Sequence, residues 1–226
     1  MVASIKKARR PKCLAASGPA DAMPIRLAVL LSGNGTTLQN LIDRIERGEL
    51  DATIQCVLSS RPNAFGLERA RKHNIPAVAV SRKDHSDAQH FSDAVWAELG
   101  KFDVDLVVLA GFMSWLAIPK AFEHRVINVH GALIPAFCGK GMYGEHVHRA
   151  VLESGVKLTG VTVHFADGEY DHGPIILQAA VPVLDDDTVD TLAARIQAQE
   201  RTLYPSAIQL IAEGRVKVEG QRVRIS

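Results

Sequence analysis

Cysteine is scarce in this chain, and its three cysteines, Cys13, Cys56 and Cys138, stand at unrelated spacings. An odd number of widely separated cysteines argues against a disulfide framework and fits a reducing compartment, so we expect a cytoplasmic protein. No apolar run approaches the roughly 20 residues that span a bilayer. The formal net charge is only +1, which gives no basis for electrostatic capture of nucleic acid or of an acidic membrane. Neither is therefore an expected partner.

The composition is otherwise that of a globular domain, with 47% hydrophobic and 23% charged residues. A length of 226 residues is enough for one α/β domain or two small ones. The N-terminal segment carries several lysines and arginines, but it lacks the apolar core of about 7–15 residues that a signal peptide needs. We expect residues 1–24 to be a transit-like or poorly ordered extension, and residues 25–226 to form a single domain.

Apolar runs alternate with segments of helical periodicity from residue 25 onward. The predicted strands lie at 25–31, 54–58, 77–80, 104–110 and about 125–130, and helices follow the first three of them. Short connections between alternating strands and helices predict an α/β fold with a doubly wound, mostly parallel sheet. Later strands at 157–165 and 175–183 predict an antiparallel pair added in the C-terminal half. A long helix at 189–213 and a small terminal hairpin complete the prediction.

Two polar side chains end the strand near residue 130. Asn128 and His130 are two apart, so they share a face of the strand. In an open α/β sheet, ligands bind at the carboxyl ends of the strands. An amide can donate to a developing oxyanion, and an imidazole can carry a proton near neutral pH. The pair is a candidate catalytic site, although an Asn and a His satisfied within an ordinary turn give the same pattern.

A glycine turn follows the first predicted strand and precedes a predicted helix. Gly33, Asn34, Gly35 and Thr36 form this turn, and a free helix N-terminus beside glycine binds anions. A dinucleotide fingerprint requires a third glycine where Leu38 stands, and a Walker loop requires Gly-Lys-Ser/Thr, which is absent. We therefore interpret the turn as a site for a single phosphate, with a plain strand-to-helix turn as the alternative.

An apolar segment follows the most apolar strand, and a turn-rich loop follows the first strand of the antiparallel pair. Residues 111–116 predict the buried start of the next helix, and the functional alternative is a slot for a flat aromatic ligand. In the turn-rich loop, Asp171 is either a plain loop carboxylate or a partner that orients a protonated His130. His146 and His148 stand two apart on a predicted helix, which makes a poor metal pair, so we expect surface or packing roles.

Five motifs occur together in a family-specific order. They are 31–36 (Leu-Ser-Gly-Asn-Gly-Thr), 64–71 (Ala-Phe-Gly-Leu-Glu-Arg-Ala-Arg), 107–113 (Val-Val-Leu-Ala-Gly-Phe-Met), 127–130 (Ile-Asn-Val-His), and His164-Phe165 followed by 171–178 (Asp-His-Gly-Pro-Ile-Ile-Leu-Gln). This set resembles the folate-dependent formyltransferases, and within them the phosphoribosylglycinamide formyltransferases of purine synthesis. The resemblance covers about residues 25–215. It implies transfer of a formyl group from 10-formyltetrahydrofolate to the amine of glycinamide ribonucleotide, without a metal.

The resemblance also implies roles for individual residues. Asn128 and protonated His130 would stabilise the oxyanion, and Asp171 would pair with His130 or move a proton through a water. Glu200 would accept hydrogen bonds from ribose hydroxyls, and the turn at 33–36 would bind the phosphate. The residues implied in folate binding are Phe112, Met113, Ser114, Trp115, Leu116 and Asp167. The expected partners are these small molecules, and we expect a monomer or a homodimer.

The sequence departs from the family pattern in four places. Gly131-Ala132 stands where Pro-Ser is usual, and Ser114 stands where a basic residue is usual. The segment 136–144 is richer in glycine than its counterparts, and the extension 1–24 is additional. Gly131 puts the rigidity of the segment after His130 in question. Ser114 puts one folate contact in question.

Other functions on the same scaffold remain as alternatives. A formyltetrahydrofolate deformylase or a sugar-nucleotide N-formyltransferase would use the same donor with a different acceptor. The first usually has a regulatory domain ahead of this one, and the second usually lacks the Ser-Gly-Asn-Gly-Thr turn. From other classes, the chain could be a phosphate-ligand binding protein on an inactive enzyme scaffold, or a nicotinamide-linked oxidoreductase. The missing third glycine argues against the oxidoreductase.

Overall fold

The computed structural model of the protein describes residues 23–226. Residues 1–22, with Cys13 and nearly all of the predicted extension, lie outside the described residues. The strands are β1 (Ile25–Leu31), β2 (Ala52–Ser59), β3 (Ala77–Ala79), β4 (Leu106–Leu109), β5 (Val126–His130), β6 (Leu158–Phe165), β7 (Ile175–Pro182), β8 (Val216–Glu219) and β9 (Arg222–Ile225). The helices are α1 (Thr36–Glu46), α2 (Phe65–Lys72), α3 (Ala88–Leu99), α4 (Glu145–Ser154) and α5 (Val189–Ala212).

Seven strands form one sheet in the order β3-β2-β1-β4-β5-β6-β7. The first five strands are parallel to one another, and β6 pairs antiparallel with both β5 and β7 at one side of the sheet. The predicted α/β architecture, with its added antiparallel pair, is confirmed. The strand order reverses between β1 and β4, and such a reversal opens a crevice at the carboxyl ends of the two strands. The structure therefore places the ends of β1 and β4 where a ligand site is expected.

Two layers of helices cover the sheet, because alternate side chains of a strand point to opposite faces. Leu27, Val29 and Leu31 of β1 belong to the core that includes α1, α2 and α5. Ala28 and Leu30 belong to the core on the opposite face, which includes α3. All five side chains are fully buried. A strand buried on both faces reads as a continuous apolar run, which is why β1 was recognisable in the sequence.

Helix α5 is fixed to α1 and to the sheet near the ends of β4 and β5. Pro205 lies inside α5, so the carbonyl of Arg201, four residues earlier, loses its helical donor. The side-chain amide of Asn40 in α1 donates to that carbonyl instead, at 2.9 Å. The hydroxyl of the fully buried Tyr204 lies 3.0 Å from one carbonyl oxygen in β4 and one in β5. These contacts set the position of α5 beside the N-terminus of α1.

The last two strands form the predicted terminal hairpin. Val216, Val218 and Val223 of this hairpin pack on the core that contains α5. Within residues 23–226, no helix is both long enough and apolar enough to cross a membrane.

Candidate active site

The structure brings Asn128, His130 and Asp171 together. The amide nitrogen of Asn128 lies 3.4 Å from Asp171 Oδ1, and His130 Nδ1 lies 3.6 Å from Asp171 Oδ2. The side chains of His130 and Asp171 are each less than a tenth exposed. A buried carboxylate between an amide and an imidazole can fix the orientation of both groups. The loop between β6 and β7 therefore places the carboxylate of Asp171 at the carboxyl end of β5.

His164 is a fourth member of this cluster, and the sequence reasoning gave it no role. It lies opposite Asn128 in the pairing of β5 and β6. Its Nδ1 lies 2.8 Å from the carbonyl oxygen of Phe165, which can only accept, so Nδ1 carries a proton. Its Nε2 lies 3.3 Å from the amide of Asn128 and 3.6 Å from Asp171. The motif His164-Phe165 was visible, but a buried strand residue gives no sign of its cross-strand neighbour.

The two residues that lie against the His130 ring nitrogens, Phe137 and Asp171, have left-handed backbone conformations. Phe137 and Asp171 have φ angles of 51° and 55°. Such a conformation costs roughly 1–2 kcal/mol for a residue with a side chain, and it concentrates at functional sites. His130 Nε2 donates to the carbonyl of Phe137 at 2.8 Å, and Asp171 Oδ2 accepts from the backbone N–H of Gly139 at 2.9 Å. The segment after Pro135 is thus fastened to both members of the ion pair.

The surroundings of Asp171 determine its charge. Burial raises its pKa, but the hydrogen bond with His164 and the charge of His130 outweigh burial, so the pKa lies below its ordinary value of 3.8. The carboxylate is therefore ionised at neutral pH. Burial and the negative charge of Asp171 raise the pKa of the Cys138 thiol. A raised pKa favours the protonated thiol, which is the less nucleophilic form of cysteine.

The predicted phosphate turn forms the N-terminus of α1. Gly35 is the N-cap residue, with φ of 69°, and no side chain caps the helix. The first backbone N–H groups of a helix have no intrahelical acceptor. Gly35 also touches α2, because a Cβ there would lie 2.6 Å from the Cα of Gly66. Glycine is required at this position both by its backbone angle and by the close approach of α2.

Glu200 of α5 reaches the first turn of α1. Its Oε1 accepts from the hydroxyl of Thr37 at 2.8 Å. Burial raises the pKa of Glu200, and the hydrogen bond from Thr37 only partly offsets that effect. A small recess of about 70 Å³ opens here, and it is lined by Thr36, Thr37, Asn40, Gln197, Glu200 and Arg201. Thr37 is not among the residues predicted from the sequence, because only the position of α5 shows that Thr37 faces Glu200.

The prediction of a buried helix start after β4 is wrong. Residues 110–119 form no helix, and a single 3-10 turn follows at Lys120–Phe122. The backbone N–H of Met113 donates to the buried hydroxyl of Ser32 at 2.9 Å, and Phe112 stacks on Phe91 of α3 at 6.1 Å between ring centroids. These contacts hold the segment against the sheet, so its backbone groups are available at the end of β4. One glycine and one proline, Gly111 and Pro119, begin and end this segment and disfavour a helix there.

Trp115 connects the segment after β4 to the loop after β6, which contains Asp167. Trp115 Nε1 donates to the carbonyl of Gly168 at 3.3 Å, which joins the two loops. Asp167 pairs with His172 at 2.8 Å and also accepts from the N–H of Glu169. Leu116 is buried and Ser114 is half-buried. A cavity of about 670 Å³ lies along this loop, bounded by Asp167 and Gly168 on one side and by the segment 118–124 on the other.

Gly131 is packed rather than loose. A Cβ at this position would lie 3.4 Å from His148 Cε1 and 3.5 Å from Ile196 Cγ2. His148 is buried, whereas His146 is exposed and stacks edge-on against Tyr143. The packing and surface roles predicted for these two histidines are confirmed. Among residues 23–226, no group of three or more His, Cys, Asp or Glu residues is arranged to hold a metal ion.

The model of the formyl transferase family matches residues 25–208, which is most of the chain, so the chain belongs to that family. Within it, the chain is 37% identical to the phosphoribosylglycinamide formyltransferase of Escherichia coli strain K12, over 88% of this chain and 96% of that protein. By this measure the chain belongs with the phosphoribosylglycinamide formyltransferases.

Two further relatives support the same placement. The trifunctional purine biosynthetic protein adenosine-3 of Gallus gallus is 40% identical over 86% of this chain, and the match spans only 19% of that longer protein. The crystal structure of glycinamide ribonucleotide transformylase 1 from Symbiobacterium toebii superposes with a TM-score of 0.85 at 45% identity. The superposition covers 91% of this chain and 95% of the Symbiobacterium toebii chain. The fold and the sequence therefore point to the same family.

Proposed function

We propose that this protein transfers the formyl group of 10-formyltetrahydrofolate to the amine of N1-(5-phosphoribosyl)glycinamide, which gives the N-formyl product and tetrahydrofolate in purine synthesis. The observation that carries the proposal is the buried cluster of Asn128, His130 and Asp171 in a chain that also presents an uncapped glycine turn. The relatives named for this activity match nearly the whole chain, which supports the same conclusion.

The cluster can stabilise the tetrahedral intermediate of formyl transfer. The substrate amine attacks the formyl carbon, and the carbonyl oxygen becomes an oxyanion. Asn128 donates to that oxygen, and protonated His130 stabilises its charge. His130 Nε2 donates to the Phe137 carbonyl, and His130 Nδ1 lies 3.6 Å from Asp171, so these contacts orient the imidazole before the substrate binds. The proton lost by the amine passes to the leaving nitrogen of the folate, with Asp171 acting through a water.

The glycine turn would bind the substrate phosphate. Gly33, Asn34, Gly35 and Thr36 precede and begin α1, and the positive end of a helix favours an anion. Glu200 would accept hydrogen bonds from the ribose hydroxyls, because it lies in the recess beside this turn. The charged form of Glu200 is disfavoured by burial, so ribose hydroxyls would supply the donors that this carboxylate lacks.

The formyl donor would lie between the segment 112–116 and the loop after β6. Phe112, Met113, Ser114, Trp115 and Leu116 supply backbone groups and apolar surface, and Asp167 lies in the facing loop. The hydrogen bond between Trp115 and Gly168 supports a shared slot. The proposal needs no metal, because hydrogen-bond donors take over the stabilisation of the oxyanion. A reducing cytoplasm and a monomeric or homodimeric state remain predictions.

The acceptor distinguishes this function from its alternatives. The assay is to mix the protein with 10-formyltetrahydrofolate and follow tetrahydrofolate release spectrophotometrically with three acceptors: glycinamide ribonucleotide, an amino-sugar nucleotide, and water alone. Turnover that depends on glycinamide ribonucleotide is the expected result. Release without an added amine would indicate a deformylase. Release only with the amino-sugar nucleotide would indicate a sugar-nucleotide N-formyltransferase, and no release with any acceptor would favour a binding protein.

A further inference from the structure

The family motif at 64–71 has no part in the chemistry described above, yet it contacts the phosphate turn. It forms the start and most of α2. The backbone N–H of Gly66 donates to the carbonyl of Gly33 at 3.1 Å. Gly35 and Gly66 meet backbone to backbone, because a Cβ on Gly35 would lie 2.6 Å from the Cα of Gly66. Helix α2 therefore contacts the turn directly through backbone atoms.

Arg69 is the residue of α2 whose side chain reaches the turn. Its Nε donates to the carbonyl of Asn34 at 2.8 Å, and its Nη1 donates to Gln39 Oε1 at 3.1 Å. Its guanidinium carbon lies 5.0 Å from the centre of the Phe65 ring. The guanidinium is thus held by the turn, by α1 and by an aromatic face. A planar group with several fixed donors holds such a position more rigidly than a lysine ammonium does.

These contacts determine where the N–H groups of the turn point. In a trans peptide, the carbonyl and the following N–H point in opposite directions. The carbonyls of Gly33 and Asn34 both point to α2, so the N–H groups of Asn34 and Gly35 point away from it. Within residues 23–226, neither of these two N–H groups donates to a protein atom. Successive free N–H groups that point the same way form an anion-binding concavity.

We propose that Arg69 is the positioning residue of this anion site, and that it sets the preference of the protein for a phosphorylated substrate. By holding the Asn34 carbonyl, it aims the adjacent N–H groups at the phosphate, and its positive charge lies close to the anion. The inference rests on the proposed function for the identity of the substrate. The presence of a phosphate site is inferred from the contacts of the turn and does not depend on the proposed function.

The kinetic test compares three variants with two substrates. Arg69→Met removes the guanidinium group, and Arg69→Lys keeps the positive charge without the planar set of donors. Arg71→Met is the matched control on the same helix, because Arg71 is exposed and pairs with Glu68. Arg69→Met should raise KM for glycinamide ribonucleotide about 10-fold or more, with little change in kcat, because a charge-assisted contact is lost. With the dephosphorylated riboside as substrate, Arg69→Met should match the wild type.

The other arms separate positioning from charge and from stability. Arg69→Lys should stay several-fold impaired, since lysine cannot bond Asn34 and Gln39 in one plane. Arg71→Met should behave as wild type with both substrates. Full recovery in Arg69→Lys would overturn positioning in favour of charge. An equal loss with the ribonucleotide and the riboside, or the same loss in Arg71→Met, would reduce Arg69 to a structural residue.

A binding measurement keeps this inference distinct from the proposed function. Calorimetric titration with ribose 5-phosphate and with ribose needs no formyl transfer. Arg69→Met should weaken ribose 5-phosphate binding by about 10-fold relative to Arg71→Met, and it should leave ribose unaffected. This result would stand even if no acceptor supported turnover. Equal affinities of the two variants for ribose 5-phosphate would overturn the inference, whatever the transfer assay gives.

Discussion

The proposed site has two ends: the phosphate end is the turn at 33–36, and the formyl end is the cluster of Asn128, His130 and Asp171 with the loops around it. The two ends are built in different ways. At the phosphate end, the turn at 33–36 is held by backbone contacts among β1, α1 and α2, including the approach of Gly35 to Gly66. At the formyl end, three loops meet, and side chains hold them together, as in the contacts of Asp171 with His130 and Gly139. We infer that changes at the phosphate end alter ribonucleotide binding and stability, whereas changes to Asn128 or His130 at the formyl end alter the rate of the chemical step.

The largest expected effect lies at the formyl end. Asn128→Ala and His130→Ala should each lower kcat on the order of 10²-fold or more, because each removes a group that stabilises the oxyanion in the proposed mechanism. KM for both substrates should change little, since neither side chain belongs to the phosphate turn. Steady-state kinetics with both substrates varied provides the measurement. His146→Ala is the control, because His146 is an exposed histidine on the nearby α4.

Wild-type rates in both variants would eliminate the proposed mechanism. A loss confined to KM would contradict the division between the two ends. A double variant adds a sharper comparison. If Asn128 and His130 act on the same oxyanion, the two losses should combine to less than their product, because groups that act as a unit are not additive.

The sequence predicted the strand, turn and helix of the phosphate end better than the loops of the formyl end. The reason is that the contacts within the first set join residues close together in the chain. The strand, glycine turn and helix at 25–46 are adjacent in the chain, so periodicity and glycine placement were enough to find them. Arg69 contacts this glycine turn from α2, and Glu200 contacts Thr37, in the first turn of α1, from α5. Their contacts depend on how the layers pack, and no local pattern contains that information.

The formyl end shows the opposite case. Asn128 and His130 were predicted from one strand end, and the place of Asp171 beside them was an alternative that only the loop after β6 could decide. The segment after β4 was predicted to start a helix because it is apolar. Its apolar side chains pack on α3 instead, as the stacking of Phe112 on Phe91 illustrates. Apolar character indicates burial, and it does not identify the backbone conformation.

The next largest effect tests the backbone contact at the phosphate end. Gly35→Ala should destabilise the protein by about 2–3 kcal/mol, because alanine is strained at a φ of 69° and its Cβ would push α2 away from the turn. KM for the ribonucleotide should rise with it. Denaturant unfolding followed by circular dichroism measures the stability. Gly33→Ala is the matched stability control, since no atom lies within 4 Å of a Cβ there.

The Gly35→Ala result discriminates between backbone and side-chain support. An unchanged midpoint of unfolding in Gly35→Ala would show that α2 can shift without cost. The phosphate end would then be no more rigid than the formyl end. Equal destabilisation by Gly33→Ala would show that the turn as a whole, rather than its contact with α2, determines the loss.

A smaller effect is expected where two loops of the formyl end are joined. Trp115→Phe removes the donor to the Gly168 carbonyl and keeps most of the aromatic surface. Because one hydrogen bond contributes roughly 1 kcal/mol, KM for the formyl donor should rise about fivefold. KM for the ribonucleotide should stay constant. Trp96→Phe is the control, because Trp96 also donates to a carbonyl, that of Ala117, but belongs to α3. A rise in both KM values would contradict a separate folate slot.

The smallest effect concerns Glu200, whose charge is disfavoured in the folded protein. Burial raises its pKa above 4.5, so ionisation costs more in the folded chain than in the unfolded chain. The stability associated with the protonated form is complete below pH 4.5, and it is lost as the pH rises through the folded pKa. Glu200→Gln, which cannot ionise and keeps an acceptor for Thr37, should therefore melt at a higher temperature than the wild type at pH 8. That gap should close below pH 4.5.

The same variant should bind the ribonucleotide less well, by roughly 3-fold to 10-fold in KM, because a neutral acceptor holds ribose hydroxyls more weakly than a carboxylate does. Calorimetric melting from pH 4 to pH 8, together with the kinetics, provides both readouts. A variant less stable than the wild type at pH 8 would show that the carboxylate supports the fold. If Glu200→Gln is more stable than the wild type at pH 8 but binds the ribonucleotide more weakly, the charge of Glu200 destabilises the fold and favours ligand binding.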